Sequence, residues 1–208
     1  MQSRLVVLAA LAAVLLAAAL PAPAAAAVGF GARIGSMSYS GEVFPGAGDP
    51  DAGLRYGVHM LVTPVPLVDV EVRGEYAKTE FNYSFDTGTG TILESEMEFR
   101  DLALYLSARY KFFSGPGVPL SLYVSGGVGW HLFNTEFLSL LGSGSTSGLT
   151  LDELDNTSRL GWHGVLGGEF KTIGFPFALF VEGRLETVSL DNDSLNSSGV
   201  YGGFTIGF

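Results

Sequence analysis

The chain contains no cysteine. That absence removes disulfide frameworks, thiolate nucleophiles, Cys-ligated metals and lipid anchors on cysteine in one step. Charge is also scarce: charged residues make up 15% of the chain, and 11 Lys and Arg stand against 21 Asp and Glu, for a net charge of −10. So few cations exclude nucleic acid as a partner, because phosphate binding needs basic patches. Long apolar runs are missing after Leu20. Nothing downstream approaches the roughly 18 to 20 apolar residues of a membrane-spanning helix. Yet mean hydropathy is positive, +0.34. A chain this apolar without a helix-length segment points to the other structure that spans lipid, a closed β-barrel.

What is present begins with a leader. Arg4 precedes an unbroken apolar run from Leu5 to Leu20, and Pro21-Ala22-Pro23 leads into Ala24-Ala25-Ala26-Ala27. A basic start, an apolar middle and small residues at the end form an export signal. Residues 1–27 are therefore expected to be cleaved after Ala25-Ala26-Ala27, leaving one mature domain over 28–208.

Beyond the leader the pattern has period two, the signature of strands with two different faces. Eight segments show it, starting near Val28, Leu54, Val68, Met97, Leu120, Arg159, Phe177 and Val200. Short turns at 64–66, 114–118 and 172–176 alternate with longer connections at 40–53, 79–96, 133–157 and 189–199. An all-β, eight-stranded antiparallel up-and-down transmembrane barrel has this arrangement, with short periplasmic turns and long extracellular loops.

The polar row carries Arg33, Arg55, Asp69, Glu71, Arg73, Glu75, Asp101, Arg109, Lys111, Arg159, Glu169, Lys171, Glu182, Arg184 and Glu186. Their signs nearly balance, as buried charges must, so these residues are expected to form a charge network in the lumen. Inward glycines such as Gly127, Gly129, Gly167 and Gly203 suggest some residual space there. On the apolar row, Phe30, Tyr110, Phe112, Phe170, Phe177 and Phe208 fall at the periplasmic ends, and Tyr56, Tyr76, Trp130 and Trp162 at the opposite ends. Two aromatic belts flanking an aliphatic band fit the two headgroup levels of a membrane.

At this point the chain resembles the OmpA/OmpX/OmpW-like small outer-membrane β-barrel families, in architecture over Val28 to Phe208. The resemblance implies the bacterial outer membrane as location. It also implies that Val200, Phe204, Ile206 and the final Phe208 are read by the barrel-assembly machinery. The peptidoglycan-binding domain that follows OmpA-type barrels is not expected.

Candidate chemistry is thin. The acids off the polar row crowd the long connections, and Lys78 and Arg100 are the cations beside them on the outward row. Those two are candidates for contacts with lipopolysaccharide phosphates. The clusters Asp152, Glu153, Asp155 and Asp191, Asp193 match no calcium-loop pattern, so no metal and no cofactor is assigned. His59, His131 and His163 all lie on the inward row and read as members of the polar network, so no enzyme activity is expected. The segment 133–157 is unusually apolar and is expected to cover the barrel mouth, with hairpin extension or a ligand site as alternatives. Function then divides between a structural or surface-interaction protein with a largely salt-bridge-filled lumen and a narrow porin-like channel or OmpW-like conduit for small or apolar solutes. The expected partners are outer-membrane lipid and lipopolysaccharide, and the expected state is a monomer.

Overall fold

The computed structural model describes residues 27–41, 52–65, 67–86, 92–114, 117–141, 157–172, 175–190 and 194–207. Alternation along each segment becomes eight strands: β1 (Ala27–Ser40), β2 (Gly53–Val65), β3 (Val68–Asp86), β4 (Ile92–Phe113), β5 (Leu120–Leu141), β6 (Thr157–Lys171), β7 (Phe177–Ser189) and β8 (Ser194–Gly207). Each strand pairs with its sequence neighbour, and the circle closes where β1 pairs antiparallel with β8, from Gly29 opposite Gly207 to Ser40 opposite Asn196. Closure leaves the central wall without a free edge, which is what a sheet in lipid requires.

The two faces are inverted relative to a soluble domain. Large apolar side chains point outward and are bare, among them Val58 at 65%, Leu166 at 62% and Leu185 at 70% exposed. Arg73 and Glu75, by contrast, are 1% and 2% exposed on the inward row. An apolar exterior around a charged interior is stable only with hydrocarbon outside.

Three connections differ from their expected lengths. β3 continues to Asp86 and β4 begins at Ile92, so most of 79–96 is paired strand, with Glu80 opposite Glu98 and Asn82 opposite Glu96. β5 runs on to Leu141 along β4, so the first part of 133–157 extends a hairpin. β8 begins at Ser194, which shortens the expected 189–199 loop. For 79–96 and 189–199 the cause is shared: a search for lipid-facing apolar residues reads polar positions such as Glu80 and Ser198 as loop, although pairing above the membrane needs only backbone. The β5 extension is different, because 133–141 is rich in apolar residues, and it takes the form of the hairpin extension held as an alternative to a mouth cover. The resulting wall is uneven: β3, β4 and β5 have 19, 22 and 22 residues, and rise above neighbours of 13 to 15.

Two short turns use left-handed backbone, at Leu67 after β2 with a φ of 71° and at a glycine after β4. Gly117, in the turn after β4, has a φ of 74°, a left-handed value that glycine adopts without steric cost. The leader, the 42–51 and 142–156 segments, Asp191, Asp193 and Phe208 lie outside the described residues.

Candidate functional site

Alternation sends every second side chain of all eight strands into one narrow interior, about wide enough in an eight-stranded barrel for side chains to fill. On the inward row six cations, Arg33, Arg55, Arg73, Arg109, Lys111 and Arg184, and seven carboxylates, Asp69, Glu71, Glu75, Asp101, Glu169, Glu182 and Glu186, are buried. They pair across the lumen in tiers. Nearest the periplasm, Asp69 accepts from Lys111 Nζ at 3.1 Å and from Thr63 at 2.6 Å, while Arg109 bonds Glu169. Above them Arg33 bridges Glu71 and Glu182, the latter at 2.5 Å, and the Tyr123 hydroxyl donates to Glu182 at 3.0 Å.

The middle tier centres on Glu75. Arg184 grips it through both carboxylate oxygens at 2.9 and 2.7 Å, and Arg73 and Arg55 approach at 3.4 and 3.5 Å. Aromatic rings fill the gaps between guanidinium planes. Tyr105 has Arg73 4.5 Å and Arg184 5.1 Å from its ring centre, Tyr201 has Arg184 at 4.2 Å, and Tyr123 has Arg109 at 3.7 Å. These faces attract cations and exclude water.

In the fourth tier Arg55 bonds Asp101 and reaches Glu186 at 3.1 Å. His131 lies between the same two acids, Nδ1 3.0 Å from Asp101 and Nε2 3.3 Å from Glu186. Only Nδ1 makes a hydrogen bond; Nε2 stands within ion-pair distance of Glu186 without one.

Above the charges the interior turns apolar. Met37, Tyr39, Phe99, Phe133, Val188, Leu195 and Tyr201 form one buried cluster, with Leu190 packed against it. Phe99 stands edge-on to Tyr39 with centroids 5.7 Å apart and tilted against Phe133 at 5.1 Å. Seven strand positions thus converge on an apolar layer over a charged plug. The sequence signal for it is aromatic residues on the polar row at the extracellular strand ends, where Phe133 reads instead as part of the apolar connection 133–157.

The inward glycines leave no open space. A Cβ on Gly129 would stand 2.6 Å from Tyr105, on Gly35 2.3 Å from Tyr201, and on Gly203 2.6 Å from Phe180. These three glycines each seat an aromatic ring, whereas a Cβ on Gly127 would meet the β4 backbone at Leu106 at 2.0 Å, so the residual space expected at these positions is taken up.

With the closed barrel and its filled interior in place, comparison with known proteins is direct. The model of the "Outer membrane protein beta-barrel domain" family matches residues 9–208. The chain belongs to that family. Among solved structures, Neisserial surface protein A aligns with a TM-score of 0.55 at 12% identity, covering 86% of this chain and 97% of the other. The outer membrane protein OprG from Pseudomonas aeruginosa aligns with a TM-score of 0.53 at 16% identity, covering 88% and 95%. These likenesses share the eight-stranded fold. No curated protein matches the sequence.

This outer-membrane barrel carries its remaining candidate residues as follows. Two network candidates sit at the mouths rather than in the plug: Arg159 is half-buried near the extracellular end, and the Lys171 side chain is 47% exposed at the end of β6, 3.5 Å from Glu169. Both lie near strand ends, where alternation still points a residue inward but the wall no longer encloses it. Phe30, Tyr56, Tyr110, Phe112, Trp130, Trp162 and Phe170 are exposed on the outward face. Tyr76 is half-buried against Tyr56 at 5.4 Å, and Phe177 is half-buried and stacked on Phe204 at 5.9 Å. Val200, Phe204 and Ile206 share the outward row of β8.

The other two histidines face hydroxyls. His59 Nε2 lies 2.9 Å from Thr205 Oγ1, and His163 Nε2 2.9 Å from Ser107 Oγ. The Ser107–His163 pair has the spacing of a nucleophile and base. Ser107 is 3% exposed, and His163 Nδ1 has no hydrogen-bond partner among the described residues, so the pair lacks the orienting third group of a triad there. At the rim, Lys78 Nζ lies 2.6 Å from Glu98 and Arg100 Nε 2.5 Å from it. The hydrogen bond from Lys78, with a second from Arg100, holds the Glu98 carboxyl below the usual carboxylate range; the same bond raises the Lys78 ammonium. The two cations therefore present one shared anion-facing patch, partly neutralised by the acid between them.

Proposed function

We propose that this outer-membrane barrel is a closed structural scaffold, exported through a leader over 1–27, that works by interaction at the cell surface rather than by transport. The observation that carries the reading is the apolar cluster of Met37, Tyr39, Phe99, Phe133, Val188 and Leu195 stacked over the ion-paired plug. An ion crossing the lumen would leave water for a charged tier whose sites are already paired and for an aromatic and aliphatic tier whose Tyr39 hydroxyl is already engaged by Arg55, at a desolvation cost on the order of several kcal/mol. Lys78 and Arg100 are the residues we assign to lipopolysaccharide phosphates, and Val200, Phe204, Ile206 and Phe208 to recognition by the assembly machinery. The barrel works as a monomer in this reading and has no catalytic role. The surface-protein name of its Neisserial neighbour is in keeping with it.

The test is solute uptake by liposomes carrying refolded 28–208. Swelling indistinguishable from empty liposomes, with both small sugars and small aromatic solutes, is the expected result. Uptake of either class would overturn the scaffold in favour of a narrow porin-like channel or an apolar-solute conduit.

A further inference from the structure

The charges nearest the periplasm form an alternating series. Lys111 Nζ stands 2.8 and 3.1 Å from the two oxygens of Asp69, and Arg109 Nε is 3.5 Å from the same carboxylate. Arg109 also bonds Glu169, and Lys171 Nζ lies 3.5 Å from the other Glu169 oxygen. Three cations thus hold two carboxylates, and the series ends on a positive charge at either side. Asp69, Arg109 and Glu169 are 0%, 2% and 4% exposed, whereas the Lys171 side chain is 47% exposed. The series is buried along its middle and open at Lys171.

A cavity lies against it. About 310 Å³ opens at the periplasmic mouth, where Lys111, Glu169 and Lys171 share the lining with Leu61, Ala178 and Phe175. Side chains are sparse on the inward row here: a Cβ on Gly207, which also lines the cavity, would meet nothing closer than 3.8 Å. Two hydroxyls at this level are already engaged, Thr63 by Asp69 and Thr205 by His59. That leaves the ammonium groups of Lys111 and Lys171 as the charged donors facing the cavity. Its inner end is the buried tier itself, so it is blind on the side of the plug. Leu61 and Ala178 are buried in its wall, and Phe175 is 72% exposed at its lip.

We infer that this cavity binds a short-chain monocarboxylate from the periplasm. One negative charge cancels the one positive charge in excess, as charges in a buried tier require. A dianionic phosphate monoester would leave a negative excess beside Glu169. Leu61, Ala178 and Phe175 offer an apolar wall to the hydrocarbon tail, and a volume near the lower limit of small-molecule sites fits an acid of about six carbons. The inference rests on which end of the barrel faces the periplasm and not on the scaffold reading, because a pocket below the plug fills whether or not the plug conducts.

The experiment uses refolded residues 28–208 in phospholipid nanodiscs at mildly alkaline pH, with hexanoate carrying carbon-13 at its carboxyl as the probe. A saturable change in the carboxyl resonance, absent from empty nanodiscs, is expected. Hexanamide, the neutral isostere, should not displace the probe, and hexyl phosphate should displace it less well than unlabelled hexanoate. Lys171→Gln should weaken binding about tenfold, the order of one charge-assisted hydrogen bond, whereas Lys171→Arg keeps the charge and should retain most of it. Phe175→Ser should weaken it about threefold through lost apolar contact. Both positions are exposed, and heat-modifiable mobility checks that each variant folds. Binding that is absent, that is equal in empty nanodiscs, or that survives Lys171→Gln overturns the proposal. So does displacement by hexanamide, or hexyl phosphate binding more tightly than hexanoate.

Discussion

The ring of Tyr123 lies across Gly167, so close that a Cβ there would stand 2.4 Å from the ring's ζ carbon. Tyr123 cannot withdraw freely, because Arg109 lies 3.7 Å over its face and its hydroxyl donates to Glu182. Gly167→Ala should therefore cost about 1–3 kcal/mol, the usual range for overpacking, read as a lower urea midpoint. Gly164→Ala, where a Cβ meets nothing within 4 Å, should stay within about 0.5 kcal/mol. Adding Tyr123→Leu to Gly167→Ala should recover part of the loss. Equal effects of the two alanines would refute the seating of rings on glycines.

Glu75 is held by Arg184 through both oxygens and approached by Arg73 and Arg55. Glu75→Leu leaves those guanidinium groups short of one anion and should cost about 3–5 kcal/mol, as for other broken buried pairs. Arg184→Met should cost a similar amount, and the double variant less than the sum. A single variant as stable as the parent would show that the tier does not bind the wall together.

His131 is hydrogen-bonded through Nδ1 to Asp101 and lies 3.3 Å from Glu186. His131→Phe leaves the buried Asp101 carboxylate without that donor and should cost about 1–3 kcal/mol, read as a lower urea midpoint. A midpoint equal to the parent's would show that the ring does not tie β5 to β4.

At the rim, the Glu98 carboxyl is depressed by Lys78 and Arg100. A depressed carboxyl contributes above the ordinary carboxylate range, and its contribution is lost as pH falls through its folded range. Lys78 is half-exposed, so the effect on stability is small. What should change is binding: neutralising Glu98 on acidification, or by Glu98→Gln, unmasks both cations and tightens association with lipid A micelles. Salt should weaken it. Binding that is unchanged in Glu98→Gln and in Lys78→Ala with Arg100→Ala would remove the rim from the account.

Much of this was legible before any coordinates. The parity of Arg33, Arg55, Arg73 and Arg184 placed them inside, because one residue of slip would have sent each into lipid. The height of Trp162 followed from its place along its strand. Tyr39, Phe99 and Phe133 were harder, since an aromatic on the polar row can be a break, a loop or a seal, and only the convergence of distant strands decides which. The glycines were misread for the same reason: Gly167 and Tyr123 meet across a strand pair, on β6 and β5. The strand ends beyond Lys78 were hidden because a backbone ladder above the membrane makes no demand for apolar side chains.

The closed lumen is tested most directly by single-channel recording of refolded residues 28–208 in a planar bilayer, at neutral pH and moderate salt. The account predicts a folded, heat-modifiable barrel that gives no resolvable openings. Steady unitary currents from that same folded protein would contradict it.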